Sequence, residues 1–162
     1  MQKKIIVVFR KGDNMLILKH ATLDECEIIT RISKNAFKSD VLVGGKPNQG
    51  PSGYDSLEWH LNMQKQGHLY SFKTDNVVVG AAVLFIYNTV LIVGRIFIDP
   101  IHNKKGYGKE LMSQIEHLFP NAKLIKLETP TWNIRTNQFY KKCGFTEVNS
   151  NIENVLYEKR LK

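Results

Sequence analysis

Cysteine is scarce in this 162-residue sequence, with Cys26 and Cys143 its two examples. They lie far apart and fit no metal-ligand spacing, so neither a zinc site nor a disulfide framework is expected. A reduced, cytoplasmic chain without a metal is the plain expectation. Long apolar runs are missing too. No stretch approaches the ~20 residues of a membrane helix, and the run Ile5 to Phe9 is short for a signal-peptide core and is closed by Arg10 and Lys11. Basic clusters are also absent. The 23 Lys and Arg give a net charge of +8, yet no basic run exceeds two residues. No interleaving of aromatic and basic residues matches an RNA-binding motif. Charge alone permits a nucleic acid, a membrane surface or a phosphorylated cofactor as partner; the scatter argues against the first. There is no repeat and no linker, and the length points to one domain over 1–162.

Apolar periodicity alternates between strand and helix. Residues 5–9 and 15–18 read as short strands around Gly12-Asp13-Asn14. Thr22 to Glu25 and Asp55 to Glu58 each have capping-box spacing. Behind the first, Cys26, Ile29, Ile32 and Ala36 recur at helical spacing; Gly67 can stop the helix that the second begins. Residues 44–53, GGKPNQGPSG, read as a loop of the functional kind. Residues 69–73 and 77–85 form a hairpin about Asp75-Asn76, and 90–98 is a further strand. Tyr107, Leu111, Met112, Ile115 and Leu118 share a helical face that Pro120 ends. Strands at 124–127, 145–148 and 155–159 and a helix carrying Thr136, Phe139 and Tyr140 complete the chain. This order predicts an α/β (α+β) fold with a mixed sheet and helices on its faces.

The segment from Ile96 to Met112, IFIDPIHNKKGYGKELM, places a strand, a glycine turn and a helix in succession. The first N–H groups of a helix lack internal partners and carry partial positive charge. Gly106 and Gly108 would let that backbone approach a phosphate, with Lys104, Lys105 and Lys109 around it. The same residues would also suit a tight turn with solvated lysines. A Walker A loop is excluded because GxxxxGK[ST] is absent, and Leu111 stands where a dinucleotide fingerprint needs its third glycine.

The stretch from Asn103 to Gly108 resembles motif A of the GNAT superfamily, (Q/R)xxGx(G/A), with Asn103 in place of Gln or Arg. Residues 133–145, NIRTNQFYKKCGF, are similar to the family's C-terminal segment: Asn opening a helix, an aromatic-Tyr pair, then Gly-Phe. Thr136 takes the usual Ala position. The resemblance extends over 15–159; residues 1–14 fall outside it, as an added edge strand or an arm.

The resemblance implies the GNAT acyl-CoA N-acyltransferase fold, with a mostly antiparallel sheet, and transfer of acetyl from acetyl-CoA to a primary amine of a small molecule or peptide. It implies that backbone groups of Phe97 and Ile98 pair with the pantetheine arm. Asn103, Lys104, Lys105, Gly106, Tyr107, Gly108 and Lys109 would hold the pyrophosphate. Asn133 would bond the pantetheine, and Tyr140 would protonate the leaving thiolate, unless it is a core aromatic beside Phe139. The strand before motif A has no carboxylate at 90–95, so Glu128, Asp99, Glu58 and His60 are the base candidates, Glu128 foremost. Tyr54, Trp59, His60 and Trp132 are candidate walls for the acceptor. Cys143 is expected to pack as a small hydrophobe. A homodimer is compatible with all this, as are a CoA-binding regulator without turnover and a basic nucleic-acid-associated protein.

Overall fold

The computed structural model describes residues 7–11 and 14–162, with side chains from Met15 onward. The turn expected at Gly12 and Asp13 lies outside the described residues, as do residues 1–6. Strand β1 (Val7–Lys11) pairs antiparallel with β2 (Asn14–His20). A 3-10 turn over Leu23–Glu25 leads into helix α1 (Cys26–Lys38), and Glu25 Oε1 accepts the Thr22 N–H at 3.0 Å, as the capping spacing predicts. The second cap falls one residue later than Asp55: Ser56 Oγ accepts the Trp59 N–H at 3.1 Å and opens α2 (Leu57–Lys65). Gly67, at φ +79°, ends that helix. Strands β3 (Leu69–Thr74) and β4 (Val77–Tyr87) form the expected hairpin. Asp75 and Asn76 take φ of 50° and 65°, the left-handed pair that a type I′ turn needs.

Strand β5 (Val90–Ile98) is followed by α3 (Tyr107–Leu118), β6 (Leu124–Pro130), α4 (Ile134–Lys142), β7 (Thr146–Ser150) and β8 (Asn154–Arg160). The sheet order is β1-β2-β3-β4-β5-β6-β8-β7, with β5 and β6 the parallel pair and the other neighbours antiparallel. This is the mixed sheet with helices on its faces that the order of elements predicts.

The parallel pair is short. It runs from Val90 opposite Leu124 to Val93 opposite Leu127 and stops. Beyond that point β5 stays paired with β4, as far as Ile98 opposite Gly80, and β6 stays paired with β8. Residues 95–98 and 128–130 therefore turn unpaired edges towards each other across a fork. A bulge marks the place: Val83 faces Arg95 but Leu84 faces Val93, so Gly94 is the extra residue on β5.

Each face of the sheet has its own core. One holds Leu16, Phe72, Leu91, Val93, Ile125 and Leu127 under Leu111, Met112 and Ile115 of α3 and Tyr140 of α4. The other holds Val78, Ala81, Val83 and Phe97 under Cys26, Ile29 and Ile32 of α1, with Trp59 of α2 at its margin. Gln114, fully buried on α3, donates to Leu16 O at 3.2 Å and accepts from Leu18 N–H at 2.9 Å, which pins α3 to β2.

Candidate active site

The glycine turn begins where β5 ends. Asp99 N–H donates to Val79 O at 2.8 Å, and Asp99 Oδ1 accepts from Ile101 N–H at 3.2 Å, starting a 3-10 turn over Pro100–His102. Lys104 and Gly106 are both left-handed, at φ 65° and 75°. Alternation of that kind turns successive N–H groups to one side. The first backbone bond of α3 runs from Glu110 N–H to Gly106 O at 3.2 Å. Among the described residues, no backbone acceptor takes the N–H of Lys104, Gly106, Tyr107, Gly108 or Lys109. The exposed side chains of Asn103, Lys104, Lys105 and Lys109 surround these donors.

Two motif residues have further structural tasks. Tyr107 is buried, edge-on to Phe72 at 6.4 Å, so its ring roots the turn while its N–H has no backbone acceptor among the described residues. A Cβ on Gly108 would lie 3.3 Å from Phe139 Cε2, so this glycine lets α3 approach α4.

Across the fork, Asn133 caps α4 and is almost fully buried. Its Oδ1 accepts from Thr136 N–H at 3.1 Å, and its Nδ2 donates to Asp40 Oδ1 at 3.4 Å. Thr136 and Thr129 share a hydroxyl bond of 2.6 Å that ties α4 to β6. Tyr140 is buried on α4 with Phe145 and Tyr157 around its ring, and burial raises its hydroxyl far above the ordinary phenol range. Phe97 is buried with its ring edge-on to Phe37, and Ile98 packs on the opposite face.

A 3-10 turn over Ser39–Val43, beyond α1, reaches across to α4. Arg135 binds Asp40 Oδ1 at 3.0 Å and Ser39 Oγ at 3.2 Å. Burial pushes the Asp40 carboxyl up, against the opposing pull of Arg135. A Cβ on Gly45 would lie 3.0 Å from the ring of Trp132, which is 42% exposed. Open cavities of about 770 and 400 Å³ flank Leu42. The larger is lined by Val43, Gly44, Ile134 and Phe139, the smaller by Lys38, Asp99 and Ile101.

The predicted acceptor residues do not all meet. Tyr54 sits edge-on to Phe37, against Gly50. Trp59 stacks under the Arg95 guanidinium, 4.0 Å from its ring centre. Trp132 lies apart from both, beside Gly44 and Gly45. His60 is 0% exposed and lines no open surface. Its Nδ1–H donates to Ser56 O at 2.7 Å, with Thr30 Oγ1 at 3.1 Å, so Nε2 carries the lone pair and has no partner. Burial lowers its pKa, and the charge of Arg95 adds to that. Of the other base candidates, Glu128 is exposed on the α1 face of β6 just beyond the last β5–β6 pair, Glu58 is exposed on α2, and Asp99 caps the turn after β5.

Sequence reading missed Asp40 and Arg95. Asp40 meets Asn133 and Arg135 across 93 and 95 residues, and no local pattern signals such a pairing. Arg95 interrupts an otherwise apolar strand, which was a signal.

The comparisons with known proteins agree with this geometry. The model of the acetyltransferase (GNAT) family matches residues 35–145. Among solved structures, the PaiA N-acetyltransferase of Thermoplasma acidophilum, in complex with coenzyme A, superposes with a TM-score of 0.81 at 17% identity, over 90% of this chain and 99% of that one. A GNAT-family acetyltransferase of Streptococcus agalactiae gives 0.80 at 14%, over 91% and 96%. The ribosomal-protein-S18-alanine N-acetyltransferase of Escherichia coli gives 0.70 at 13%, over 90% and 94%. At these identities the superpositions speak for the fold, while the family match spans more than half of the sequence and includes both the glycine turn and the segment from Asn133: the chain belongs to the acetyltransferase (GNAT) family.

Proposed function

We propose that this chain binds acetyl-CoA and transfers its acetyl group directly to a primary amine. The observation that carries the reading is the forked β5–β6 pair opening onto a turn of unused N–H donors. A diphosphate fits that turn, because several N–H groups, a helix N-terminus and three lysines converge there. Asn103 flanks the phosphates from the exposed side. The free edge of β5 at Phe97 and Ile98 offers backbone groups to the amides of pantetheine, as an added strand would. Asn133 bonds the same arm through its second Nδ2 hydrogen, or after release of Asp40.

The amine attacks the thioester carbon, and the carbon–sulfur bond breaks with the electron pair leaving on sulfur. A hydroxyl held as high as Tyr140's is a weak acid beside a thiol of reference pKa about 8.5. Its chief effect is therefore a charge-assisted hydrogen bond that steadies the departing thiolate. Glu128, exposed at the fork, takes the proton that the amine sheds, directly or through water. Trp59 and Tyr54 wall the acceptor on the α1 face and Trp132 on the α4 side, while buried His60 packs edge-on behind the Trp59 ring.

The test follows free thiol release from acetyl-CoA with a broad panel of amines, beside thermal melts with acetyl-CoA and CoA. Stabilisation by both ligands and amine-dependent thiol release are expected. Stabilisation with no thiol release by any amine would leave a CoA-binding protein without this activity.

A further inference from the structure

Resting on the transferase reading, we infer that Arg95 selects the acceptor: the chain acetylates amines that carry a carboxylate close to the amino group, as a free amino acid does, and Arg95 takes that carboxylate.

Position comes first. Arg95 follows the Gly94 bulge and is the second residue of β5 past its last pair with β6. It shares the α1 face with Phe97, two residues on, a spacing of ~7 Å along a strand. That puts its stem beside the edge assigned to the pantetheine arm, where the thioester must come to rest. The glycine turn leads to α3 on the other face of the sheet, so cofactor and acceptor would reach the fork from opposite sides.

Its partners come next. Arg95 NH2 donates to Ser52 O at 2.8 Å, and the guanidinium lies on the face of Trp59. Both partners are neutral. NH1, with two N–H groups, is buried and bonds nothing. Other part-buried cations of this chain are treated differently: Lys73 sits 2.6 Å from Glu25, Lys159 sits 2.6 Å from Glu116, and Arg135 sits 3.0 Å from Asp40. Burial pulls the Arg95 pKa down to about 10, so the group stays charged at neutral pH in surroundings that resist the charge. Removing a buried donor from water without an acceptor is costly, and leaving a cation there without a counter-ion is costlier. An anionic oxygen supplied by the acceptor relieves both, provided that the Ser52–Arg95 bond opens to admit it, since NH1 itself is shut off from solvent.

The bracing of Arg95 suits this task. Gly53, at φ +78°, lies so close to Trp59 that a Cβ would stand 2.2 Å from its ring. Loop, indole and guanidinium thus form a stack that fixes the fork of Arg95 without neutralising it. A planar guanidinium held this way recognises a carboxylate by geometry as well as charge. The same fixed charge repels polyamines, whose second ammonium would have to enter beside it.

The experiment compares each proteinogenic amino acid with its own amide as acceptor, together with spermidine, by thiol release from acetyl-CoA. The amide is the weaker base and is more often neutral, which biases the comparison against the inference. At least one acid should exceed its amide by about tenfold or more in kcat/KM. Arg95→Gln should bring that ratio to within about twofold while the Kd for CoA holds. Arg95→Lys, which keeps the charge and loses the fork, should lower the ratio several-fold and carries the test if the Gln variant does not fold. Preference for amides or spermidine would overturn the inference and leave the transferase reading standing. An equal loss on acid and amide in Arg95→Gln would mean that Arg95 only braces the loop, and would overturn it too. If no amine releases thiol although acetyl-CoA binds, the transferase reading falls and takes this inference with it.

Discussion

Replacing Gly106 by Asp and by Asn separates the charge of the glycine turn from its shape. Gly106 holds φ 75° and ψ 16° at the cap of α3. Asn and Asp both tolerate that left-handed conformation better than other side chains and have nearly the same size. Their backbone strain therefore cancels in a comparison of the two. What remains is one negative charge placed where the diphosphate is proposed to sit. At ~5 Å, a unit charge pair is worth ~0.8 kcal/mol at the dielectric of water and ~3.3 kcal/mol at an effective value of 20. The turn is exposed around Lys104 and Lys105, which favours the lower half of that interval. An intermediate ~1.4–2 kcal/mol corresponds to a Kd for CoA about 10–30-fold weaker in the Asp variant than in the Asn variant. Calorimetric titration at low salt measures the ratio. It should shrink at 1 M salt, where the screening length falls to ~3 Å. An Asp at a helix cap also favours the fold, so the ligand-free Asp variant should melt no lower than the Asn variant. Equal CoA affinities of two folded variants at low salt would refute the placement of the phosphates.

Tyr140→Phe keeps the ring among Phe145 and Tyr157 and removes the donor that steadies the thiolate; it should lower single-turnover transfer by roughly 10²-fold with CoA affinity unchanged, and wild-type rates would make Tyr140 a core residue only. Gly80→Ala would set a Cβ 2.5 Å from Phe97 O, so urea unfolding should show a loss of about 1–3 kcal/mol and weaker CoA binding; an unchanged midpoint would contradict the close packing of β4 on β5. His60 is buried with its folded pKa below the unfolded 6.5, so its stabilisation is complete above that pH and fades as pH falls below it; His60→Asn should flatten the melting curve against pH between 7.5 and 5.5, and an equally steep curve would count against it. Thiol reagents should label Cys143 in the folded protein and reach Cys26 after unfolding alone; labelling of both at one rate would contradict their different burial.

The sequence was most legible where the controlling physics is local. The Asp75-Asn76 turn, the Thr22–Glu25 cap and the apolar face of α3 each depend on residues within four positions, and the structure has all three. The Asp55–Glu58 spacing points one residue too early, because Asp55 and Ser56 can both cap and the exit path of the chain decides. Strand β6 runs three residues past its apolar core because β8 pairs it as far as Pro130. His60 looked like a cleft residue by type alone; the packing of α2 on α1 buries it. By sequence Gly108 suits phosphate approach, and its missing side chain also makes room for Phe139, 31 positions on in the sequence. The strap from Ser39 to Gly45 was invisible because its partners Trp132, Asn133 and Arg135 lie about 90 residues away.

The fork itself comes from two glycines more than from the motif residues. Gly80 stands against Phe97 O so closely that no side chain fits between β4 and β5. Gly94 is the bulged residue, and a Cβ there would meet Phe85 at 2.9 Å. An extra residue on one strand increases the local twist and bends that strand away from its neighbour. Here the bend begins one residue after the final β5–β6 pair, so β5 keeps its bonds to β4 and gives up those to β6. The polar groups freed on the inner edge of β5 are left for a ligand to pair with. The same bulge shifts the side-chain alternation by one place. Val93, before it, points into the α3 core; Arg95, two residues later, points to the α1 face. Without the bulge, residues 93 and 95 would share a face, and the guanidinium would be directed into the apolar core under α3. One inserted glycine thus frees the β5 edge proposed for the cofactor and turns Arg95 to the α1 face, the side proposed for the acceptor.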